Sequence, residues 1–582
     1  MRHFLLLLKC KAISFFRTDF TKSVERNYSC PARLIALVGY LCFVMLIPSE
    51  LFGQTEIAGE VTGEWTSEGS PYTVVDSTWI PEGGELIIQG DVEVIFQENQ
   101  GLHIFGHFEV RGVQFETPVW FNLIEVEHWK GLRFYGEREA TFEGLEIDCP
   151  DTLFFLDNNC RLEFRNCDLI ADKQAIWSHQ NPNWTNRGWN LGFYHSSLRG
   201  GGRLIMVGSL LIAEDSKFNI VGYHPGDQPG FQGEMNYYEF INCEIHGGIR
   251  GAHTSIVEDC EILGHGGNWE SGVVITGPEG RMLRTSVSGR VSLGGDFDHY
   301  TPFDDNVVTG RMTITGLNTN INRCELGTQV DIRNARANIR NCILPGHFSV
   351  SESDVTIDSC QFVNQSNQRE VLGLGDGTRA TITRSVLVLD YSHFDASIAN
   401  VTANFDHNTI YFKMPYAFSV LIYGADVSFT NNIFLTTEDV GALFRSDSAF
   451  TFEYNSVWGF DNFREGRMQE MFEQPPNNIE ADPLLEWYGR SPLLTADSPC
   501  IDAGYPDSPL DRDGTRSDIG AYAFNQPNFI SRNDPGMYYS DTPVLIQAYP
   551  NPFNSSLNIS FTMENTNHIS IKLYDLAGRE VL

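Results

Sequence analysis

Basic residues are scarce in this 582-residue sequence. It holds 40 Lys and Arg against 75 Asp and Glu, which gives a formal net charge of −35 at pH 7. Such a charge repels phosphate backbones and anionic lipid headgroups, so nucleic acid and membrane surfaces are excluded as partners. An acidic polysaccharide is also disfavoured unless calcium or a local arginine cluster bridges the two like charges.

Long hydrophobic runs are absent after residue 53. The longest run before it, residues 34–47, places 14 apolar residues behind Arg33 and precedes "PSELFGQ". A basic start, a short apolar stretch and a small residue, Gly53, are typical of a secretory signal peptide. We therefore assign residues 1–53 to a signal peptide with an upstream extension, and we expect no membrane span after its removal. An uncleaved anchor is the alternative, although the run is short for a span.

CxxC pairs are absent too, although the sequence contains 12 cysteines. Zinc sites of the ribbon or finger type need such pairs, so the sequence does not indicate one. Six of the cysteines instead share one sequence frame, which predicts free thiols stacked in a core as small hydrophobic groups. With 53 glycines, 12% aromatic and only 20% charged residues, the composition favours a folded, turn-rich all-β protein over a disordered one.

That frame is a repeat. "INRCEL", "IRNCIL" and "IDSCQF" place Cys324, Cys342 and Cys360 at intervals of 18 residues, with an apolar residue three positions before each cysteine and another two after it. Because a strand alternates with period two, an interval of three predicts a corner between two short strands. The frame continues with Ser or Asn in place of cysteine, and we extend it towards the N-terminus to Val113, with Phe115 as an inward residue.

A constant frame with coils of variable length predicts a solenoid whose strands bond to the coils above and below. The pattern resembles the right-handed parallel β-helix of pectate-lyase-like proteins over roughly residues 85–460. The resemblance implies the right-handed sense of the coil. The fold class is therefore all-β, a right-handed parallel β-helix followed by a partial small β-sandwich. A propeller or a sandwich would require longer, evenly spaced hairpins.

The ends of a solenoid need caps. Residues 54–84 are assigned to an N-terminal cap and lead-in, and residues 461–524 to a C-terminal capping segment. "SPCIDAGYPDSPLDRDGTRSDIGAYAF" resembles a segment that often closes secreted bacterial β-helix proteins. Its Asp511, Asp513 and Asp518 are candidate calcium ligands, which makes calcium the candidate cofactor. Their spacing falls short of an EF-hand loop, so a purely structural cap is the alternative.

The C-terminal region has a different composition. Residues 525–542 are polar and rich in Asn and Pro, and are assigned to a linker. In residues 543–582, "YPNPFN" and "LYDLAGREV" resemble the C-terminal sorting domain of type IX secretion cargo. The resemblance implies that the type IX secretion machinery is a partner, and that the protein is secreted or displayed on the outer surface of a bacterium. The sequence stops at Leu582, before the last strands of such a domain, so we expect a truncated version.

Two loop regions carry candidate substrate-binding residues. In the β-helix enzymes that the chain resembles, substrate lies in a groove on one sheet, between long loops. Exposed indole rings stack on sugar rings, and the two loop regions, 171–195 and 253–305, contain four tryptophans that we take as candidates: Trp177, Trp184, Trp189 and Trp269. The alternative is that these rings pack the loops onto the solenoid.

The stretch "GGDFDHYTPFDDN" is dense in carboxylates. Its candidate catalytic residues are Asp296, Asp298, Asp304 and Asp305. Paired carboxylates act as general acid and base on a glycosidic bond, and carboxylate oxygens also bind calcium. A lyase would instead need a basic residue, and three arginines are near in sequence: Arg281, Arg284 and Arg290. An acidic, solvated loop is the alternative.

Two functions therefore remain open. The first is a secreted or cell-surface protein that binds or processes a polysaccharide or surface glycan, as a lyase or a hydrolase if it is an enzyme. The second is a non-catalytic adhesin or structural stalk, which the repeat body and the sorting tail would also suit. Because one fold serves many functions, the choice between these two has to be made from the residues of the site.

Overall fold

The structure is a computed structural model. Four candidate residues (Asp296, Asp298, Trp184 and Trp269) lie outside the described residues, as do the signal peptide, the linker and most of the sorting domain. The structure describes residues 55–123, 126–173, 175–178, 188–201, 203–205, 209–221, 230–232, 236–263, 272–276, 280–295, 300–363, 370–389, 393–397, 401–413, 418–423, 425–446, 450–465, 477–524, 547–549 and 558–560.

The protein is a parallel β-helix in which each complete turn contains three short strands. One turn, for example, runs through Arg336–Arg340, Ile343–Pro345 and Phe348–Ser351, which we call a first-row, a second-row and a third-row strand. Each strand pairs in parallel with the strand of the same row in the next turn. The described ranges contain no helix, and therefore no helix long and apolar enough to span a membrane. The predicted fold is confirmed.

The chain forms two compact units, and the first comprises residues 1–182 and 195–200. Its first row contains Gly63–Trp65, Glu85–Gln89, His107–Arg111, Glu139–Glu143 and Arg161–Arg165. Its second row contains Thr55–Glu60, the start of Tyr72–Ile80, Glu93–Phe96, Val119–Asn122, Leu145–Cys149, Asp168–Ala171 and Ser197–Gly201. Its third row contains the end of Tyr72–Ile80, Gly101–Ile104, Gly131–Phe134, Phe154–Leu156 and Ile176–Ser178. Parallel pairing thus already begins within the predicted lead-in.

The second unit comprises residues 183–194 and 201–582. Its first row contains Asn190–Tyr194, Leu210–Glu214, Asn236–Ile241, the end of Gly248–Glu258, Arg281–Leu283, Tyr300–Asp304, Asn318–Asn322, Arg336–Arg340, Asp354–Asp358, Arg379–Thr383, Thr402–Asp406, Asp426–Thr430 and Thr451–Glu453. Its second row contains Lys217–Val221, Glu244–His246, Glu261–Leu263, Ser286–Ser288, Val307–Val308, Glu325–Leu326, Ile343–Pro345, Gln361–Val363, Val386–Leu389, Thr409–Phe412 and the starts of Ile433–Ser446 and Ser456–Glu465.

The third row of the second unit completes its turns. It contains Arg203–Ile205, Gly230–Gln232, the start of Gly248–Glu258, Gly272–Thr276, Arg290–Gly294, Arg311–Thr315, Gln329–Arg333, Phe348–Ser351, Glu370–Leu374, His393–Ser397, Phe418–Tyr423 and the ends of Ile433–Ser446 and Ser456–Glu465. Two antiparallel pairs follow in sequence: Leu485–Tyr488 with Ser491–Leu494, and Gln547–Tyr549 with Asn558–Ser560.

The repeated frame forms the corner between the first and second rows, as the interval of three predicts. In "VTIDSCQF", Val355, Ile357, Cys360 and Phe362 are all buried. Ser359 at the corner has a φ of 56°, in the left-handed region. This conformation turns the chain in a single residue and returns the next side chain to the interior.

The residue after the corner builds a hydrogen-bonded ladder through the core. Its side chain accepts the backbone N–H of its counterpart one turn earlier, as Asn432 does from Asn408 (2.9 Å) and Asn455 does from Asn432 (2.8 Å). Cys342 does the same more weakly for Cys324, with N and Sγ 3.4 Å apart. All nine described cysteines are free and buried, which confirms the prediction of unpaired thiols for these positions.

One assignment of the frame was wrong. Phe115, predicted to point inward, is 86% exposed, and Val113 is 47% exposed. Val113 instead forms an antiparallel bridge with Thr117 at the neck of a tight turn, and the second-row strand begins only at Val119. The stretch "VRGVQF" matches the spacing of the frame, but its second and third apolar residues belong to an inserted turn and not to the corner.

Candidate functional site

Five side chains form an outward-facing column on the third row of the first unit. We call this set the aromatic column; its members are Trp79, His103, Arg133, Phe155 and Trp177. Strand pairing places each of them on the turn next to its neighbour in the series. Since paired strands lie about 4.8 Å apart, the five side chains are spaced at that interval along the solenoid.

The column is exposed at both ends. Trp79 is 37% exposed and Trp177 is 47% exposed, whereas the residues that flank them in their strands, such as Ile80 and Ile176, are buried. Alternation along each short strand therefore directs the five column side chains outward. Two exposed tryptophans at the ends of a regular column make this surface a candidate binding site.

Neighbouring side chains fix the centre of the column. The Arg133 guanidinium lies 4.1 Å from the centroid of the Phe155 ring, a cation–π distance, and its Nε donates to the carbonyl of Lys130 (2.7 Å). The Nδ1 of His103 is hydrogen-bonded to the hydroxyl of Tyr135 (2.8 Å). Burial raises the pKa of Tyr135, so this hydroxyl stays protonated in the neutral range. These contacts hold the column in place before any ligand arrives.

A glycine makes room for the Phe155 ring. Gly131 has a φ of 76°, and a Cβ at this position would lie 2.7 Å from a carbon of that ring and 2.9 Å from the carbonyl oxygen of Thr152. A side chain at residue 131 would therefore displace Phe155 from the column and strain the backbone.

Sequence reasoning identified Trp177 alone among the five. A signal for two others was present: "GLHIFG" (101–106) and "GLRFYG" (131–136) share the order Gly, Leu, variable, apolar, aromatic, Gly, and the variable positions are His103 and Arg133. The remaining members, Trp79 and Phe155, stand between buried residues in "TWI" and "FFL". Their strands can be aligned only when the pairing is known.

The other predicted sugar-binding tryptophan that the structure describes, Trp189, is misassigned. It is 1% exposed, so its ring lies in the core of the second unit and cannot stack on a sugar. For this residue the alternative, packing within the fold, is what the structure shows.

Of the predicted catalytic carboxylates, Asp304 and Asp305 lie side by side at the end of the strand Tyr300–Asp304. Asp305 forms a bidentate ion pair with Arg323, with Nε–Oδ1 and Nη2–Oδ2 distances of 2.6 and 2.7 Å. Burial is the main cause that raises the pKa of Asp304, the charge of Asp305 adds to it, and Arg323 opposes it. A raised pKa suits a general acid, and the catalytic role of these residues stays a prediction.

Two of the three arginines considered for a lyase are held by carboxylates. Arg281 pairs with Glu258 (2.5 Å), and Arg284 forms a bidentate pair with Asp259 at 2.6 and 2.7 Å. Arg290 lies on a third-row strand, where no described carboxylate is within ion-pair distance.

The C-terminal segment packs on the last turns of the second unit. Leu494, Cys500 and Ile519 form one buried cluster with Ile433 and Leu435 of the solenoid. The Oδ1 of Asn478 accepts the N–H of Asn455 (2.8 Å) and so adds a rung to the ladder. This segment therefore provides a hydrogen-bond acceptor for a backbone N–H group of the last turns and covers their apolar side chains.

The three aspartates proposed as calcium ligands act as hydrogen-bond acceptors within this segment. Asp511 accepts from the N–H of Asp518 (2.8 Å), Asp513 from the hydroxyl of Thr515 (2.7 Å), and Asp518 from the N–H groups of Asp502 (2.7 Å) and Phe524 (2.6 Å). In the described part of the chain, no group of three or more His, Cys, Asp or Glu side chains is placed to hold a metal ion. Calcium binding stays a prediction.

Asp511 makes stability depend on pH. Burial raises its pKa to about 6, above the ordinary value of 3.8. The protonated carboxyl therefore contributes stability that is fully present below about pH 4 and is lost as the pH rises through 6. We expect Asp511→Asn to raise the free energy of unfolding at pH 7 by roughly 1 kcal/mol, discounted from the full linkage value because the carboxyl is only half buried.

Urea unfolding of both proteins at pH 7 and at about pH 3.5 tests this. The wild type and the Asn variant should differ most at pH 7, less at about pH 5, and converge below about pH 4. An equal difference at the two pH values would assign the effect to something other than the titration of Asp511.

Comparison with known proteins assigns the C-terminal residues to a known domain family. Residues 547–582 match the family described as the secretion system C-terminal sorting domain. The protein is therefore a secreted or cell-surface β-helix protein that engages the type IX secretion machinery. No curated protein matches the chain in sequence.

Among solved structures, the chain is similar to pectate lyase Pel9A, with 12% identity, a TM-score of 0.21, and coverage of 75% of this chain and 89% of that one. It is also similar to a mutant tailspike protein of E. coli bacteriophage HK620 in complex with a hexasaccharide, with 10% identity, a TM-score of 0.16, and coverage of 74% and 71%. Both likenesses are too weak to support an argument about function. The parallel β-helix is established by the strand pairing itself.

Proposed function

We propose that the protein binds a polysaccharide outside the cell, through the aromatic column of its first unit. The observation that carries this proposal is the register of the column, in which five outward side chains follow one another at intervals of one turn. A sugar ring presents its C–H groups to an aromatic face, so rings at regular spacing suit a chain of linked sugars. The glycan would run along the solenoid axis.

The composition of the column supports a sugar over other stacking ligands. Nucleic acid bases also stack on aromatic side chains, but their phosphates would meet a protein with a net charge of −35. His103 and Arg133 add hydrogen-bond donors between the aromatic ends, and a sugar hydroxyl accepts such bonds. Export through the type IX system gives the column access to extracellular glycans.

Replacing the most exposed ring tests the proposal. We expect Trp177→Ala to weaken binding of the full chain to its preferred polysaccharide about tenfold, because a tryptophan ring that stacks on a ligand contributes on this scale. Affinity electrophoresis against a panel of linear polysaccharides measures the effect. Trp458→Ala is the matched control, since Trp458 is also a half-exposed tryptophan (42%) but belongs to the second unit and is not a member of the column.

The outcomes separate the two functions. Wild-type binding that Trp177→Ala weakens and Trp458→Ala leaves intact supports the glycan-binding role. Absence of binding across the panel, or an equal loss in both variants, would favour the adhesin or stalk.

Catalysis by the Asp296, Asp298, Asp304 and Asp305 group is a separate proposal, supported by the raised pKa of Asp304. The same panel, with and without calcium, can be followed for reducing ends and for the ultraviolet absorbance of unsaturated products. Reducing ends alone would identify a hydrolase that uses a carboxylate pair. Unsaturated products would identify a lyase and point to a basic residue, and neither product would leave binding as the activity.

A further inference from the structure

A second outward column, made of polar side chains, lies on the third row of the second unit. We call it the polar column; its members are Arg290, Arg311, Gln329 and His347. Parallel pairing of Val291 with Met312, of Arg311 with Gln329 and of Val330 with Phe348 puts these residues on successive turns. They lie about 4.8 Å apart, at the beginning of successive third-row strands.

The two arginines point away from the core. Val291 and Met312, which follow them in their strands, are fully buried. Because successive residues of a strand face opposite sides, Arg290 and Arg311 lie on the outer side of the sheet. Two arginines therefore occupy equivalent outward positions on adjacent turns of a strongly acidic protein.

Only one of these two charges is neutralised within the described residues. Arg311 pairs through its Nε with Asp331 (2.8 Å), whose side chain is 5% exposed and also accepts from Gln329 (3.2 Å). Arg290 makes a long hydrogen bond of 3.4 Å to the hydroxyl of Thr313, which carries no charge. The column therefore keeps one net positive charge, at Arg290.

Two buried side-chain nitrogen atoms of the column have no hydrogen-bond partner among the described residues. They are the Nε of Arg290 and the Nδ1 of His347. A buried polar atom left unpaired costs roughly 1–3 kcal/mol, and such atoms are rare in folded proteins. Both belong to the same column, on either side of Arg311 and Gln329, so the two unmet hydrogen-bonding groups lie beneath one row of polar side chains.

A glycine is required directly before the two arginines. Gly289 and Gly310 immediately precede them, and a Cβ on Gly310 would lie 2.2 Å from the carbonyl oxygen of Gly289. Only glycine fits there, so no side chain from residue 310 covers the guanidinium groups.

We propose that the polar column binds an oxyanion, a carboxylate or sulfate group of a soluble ligand, with Arg290 as its principal donor and Arg311 as its second. A guanidinium presents its N–H groups in a planar fork that matches two oxygens of such a group, and the resulting charge-assisted hydrogen bonds are strong. An anion at this position would pair the charge of Arg290 through the terminal N–H groups of its guanidinium. The proposal does not depend on the aromatic column, which belongs to the other unit and recognises apolar sugar faces.

Calorimetric titration of the full chain at low ionic strength tests the site. The probes are sodium sulfate, sodium glucuronate and, as the uncharged counterpart, glucose. We expect one or both anions to bind and glucose not to bind at this site, and Arg290→Gln to weaken anion binding at least tenfold. Arg379→Gln is the matched control, because it removes the same charge from an outward first-row position that is paired with Asp354 (3.4 Å).

The arms of the experiment identify the source of the anion. Binding of glucuronate alone indicates a carboxylate carried by a sugar, whereas binding of sulfate alone indicates a sulfate ester or the free ion. Arg290→Lys, which keeps the charge but loses the fork, should bind with intermediate affinity and replaces the Gln variant if that one fails to fold by circular dichroism. The proposal is overturned if neither anion binds, or if Arg290→Gln and Arg379→Gln weaken binding equally.

Discussion

Replacing Asn432 with leucine is expected to lower the free energy of unfolding by about 3–5 kcal/mol. The Asn432 side chain is fully buried and accepts both the backbone and the side-chain N–H of Asn408, each at 2.9 Å. It also donates to the carbonyl oxygens of Phe405 and Thr430, each at 2.9 Å. Leucine has nearly the same size but can make none of these bonds, so it leaves several buried polar groups unpaired. Urea or thermal unfolding followed by circular dichroism measures the change.

Two further variants separate the ladder from a general effect of the substitution. Asn338→Leu makes the same change at an exposed first-row position, where the amide donates to Asn320 (3.0 Å) and to no other described residue, and should cost less than about 0.5 kcal/mol. Asn432→Ser should lose less than Asn432→Leu, because Ser385 serves as a rung by accepting the N–H of Cys360 (3.1 Å). Equal losses for Asn432→Leu and Asn338→Leu would show that the ladder contributes little to stability.

The ladder also explains why the corner could be predicted from sequence. Its rungs must be small or amide side chains that accept a backbone N–H, so Cys, Ser, Thr and Asn recur at one position whatever the loop lengths between turns. The preceding residue adopts a left-handed conformation in turn after turn, as Arg323, Asn341 and Ser359 do. A requirement that repeats in every turn produces a periodic sequence pattern, and the fold could be predicted from that pattern.

The aromatic column has no such periodic sequence pattern. Its members are separated by 24, 30, 22 and 22 residues, because the loops between them differ in length. They also belong to different chemical types, and because their side chains face outward, core packing does not require one residue type at these positions. Trp177 was found only because it stands in a tryptophan-rich loop, and the same reasoning wrongly added Trp189, whose ring is buried. Composition alone does not distinguish a ring that packs from a ring that binds.

Replacing Phe142 with alanine is the second change expected to have a large effect, a loss of about 3–5 kcal/mol in the free energy of unfolding. Phe142 is fully buried in the first unit, with ring centroids at 5.0 Å from Phe164, 5.6 Å from Phe108 and 5.6 Å from Phe154. Removing the ring takes away this contact area and leaves a cavity that neighbouring turns, fixed by their strand pairing, can fill only in part. Phe115→Ala is the matched control and should have little effect, because Phe115 is 86% exposed.

The same substitution also links the core to the proposed binding surface. Phe154 precedes Phe155 in its strand, and Phe134, whose ring centroid is 6.5 Å from that of Phe142, follows Arg133. A cavity at residue 142 therefore lies beneath Arg133 and Phe155 of the aromatic column. We expect Phe142→Ala, at temperatures where it is still folded, to weaken polysaccharide binding severalfold, because less rigid rings lose more conformational entropy when a sugar stacks on them. Unchanged affinity in the folded variant would mean that strand pairing alone holds the column in its binding geometry.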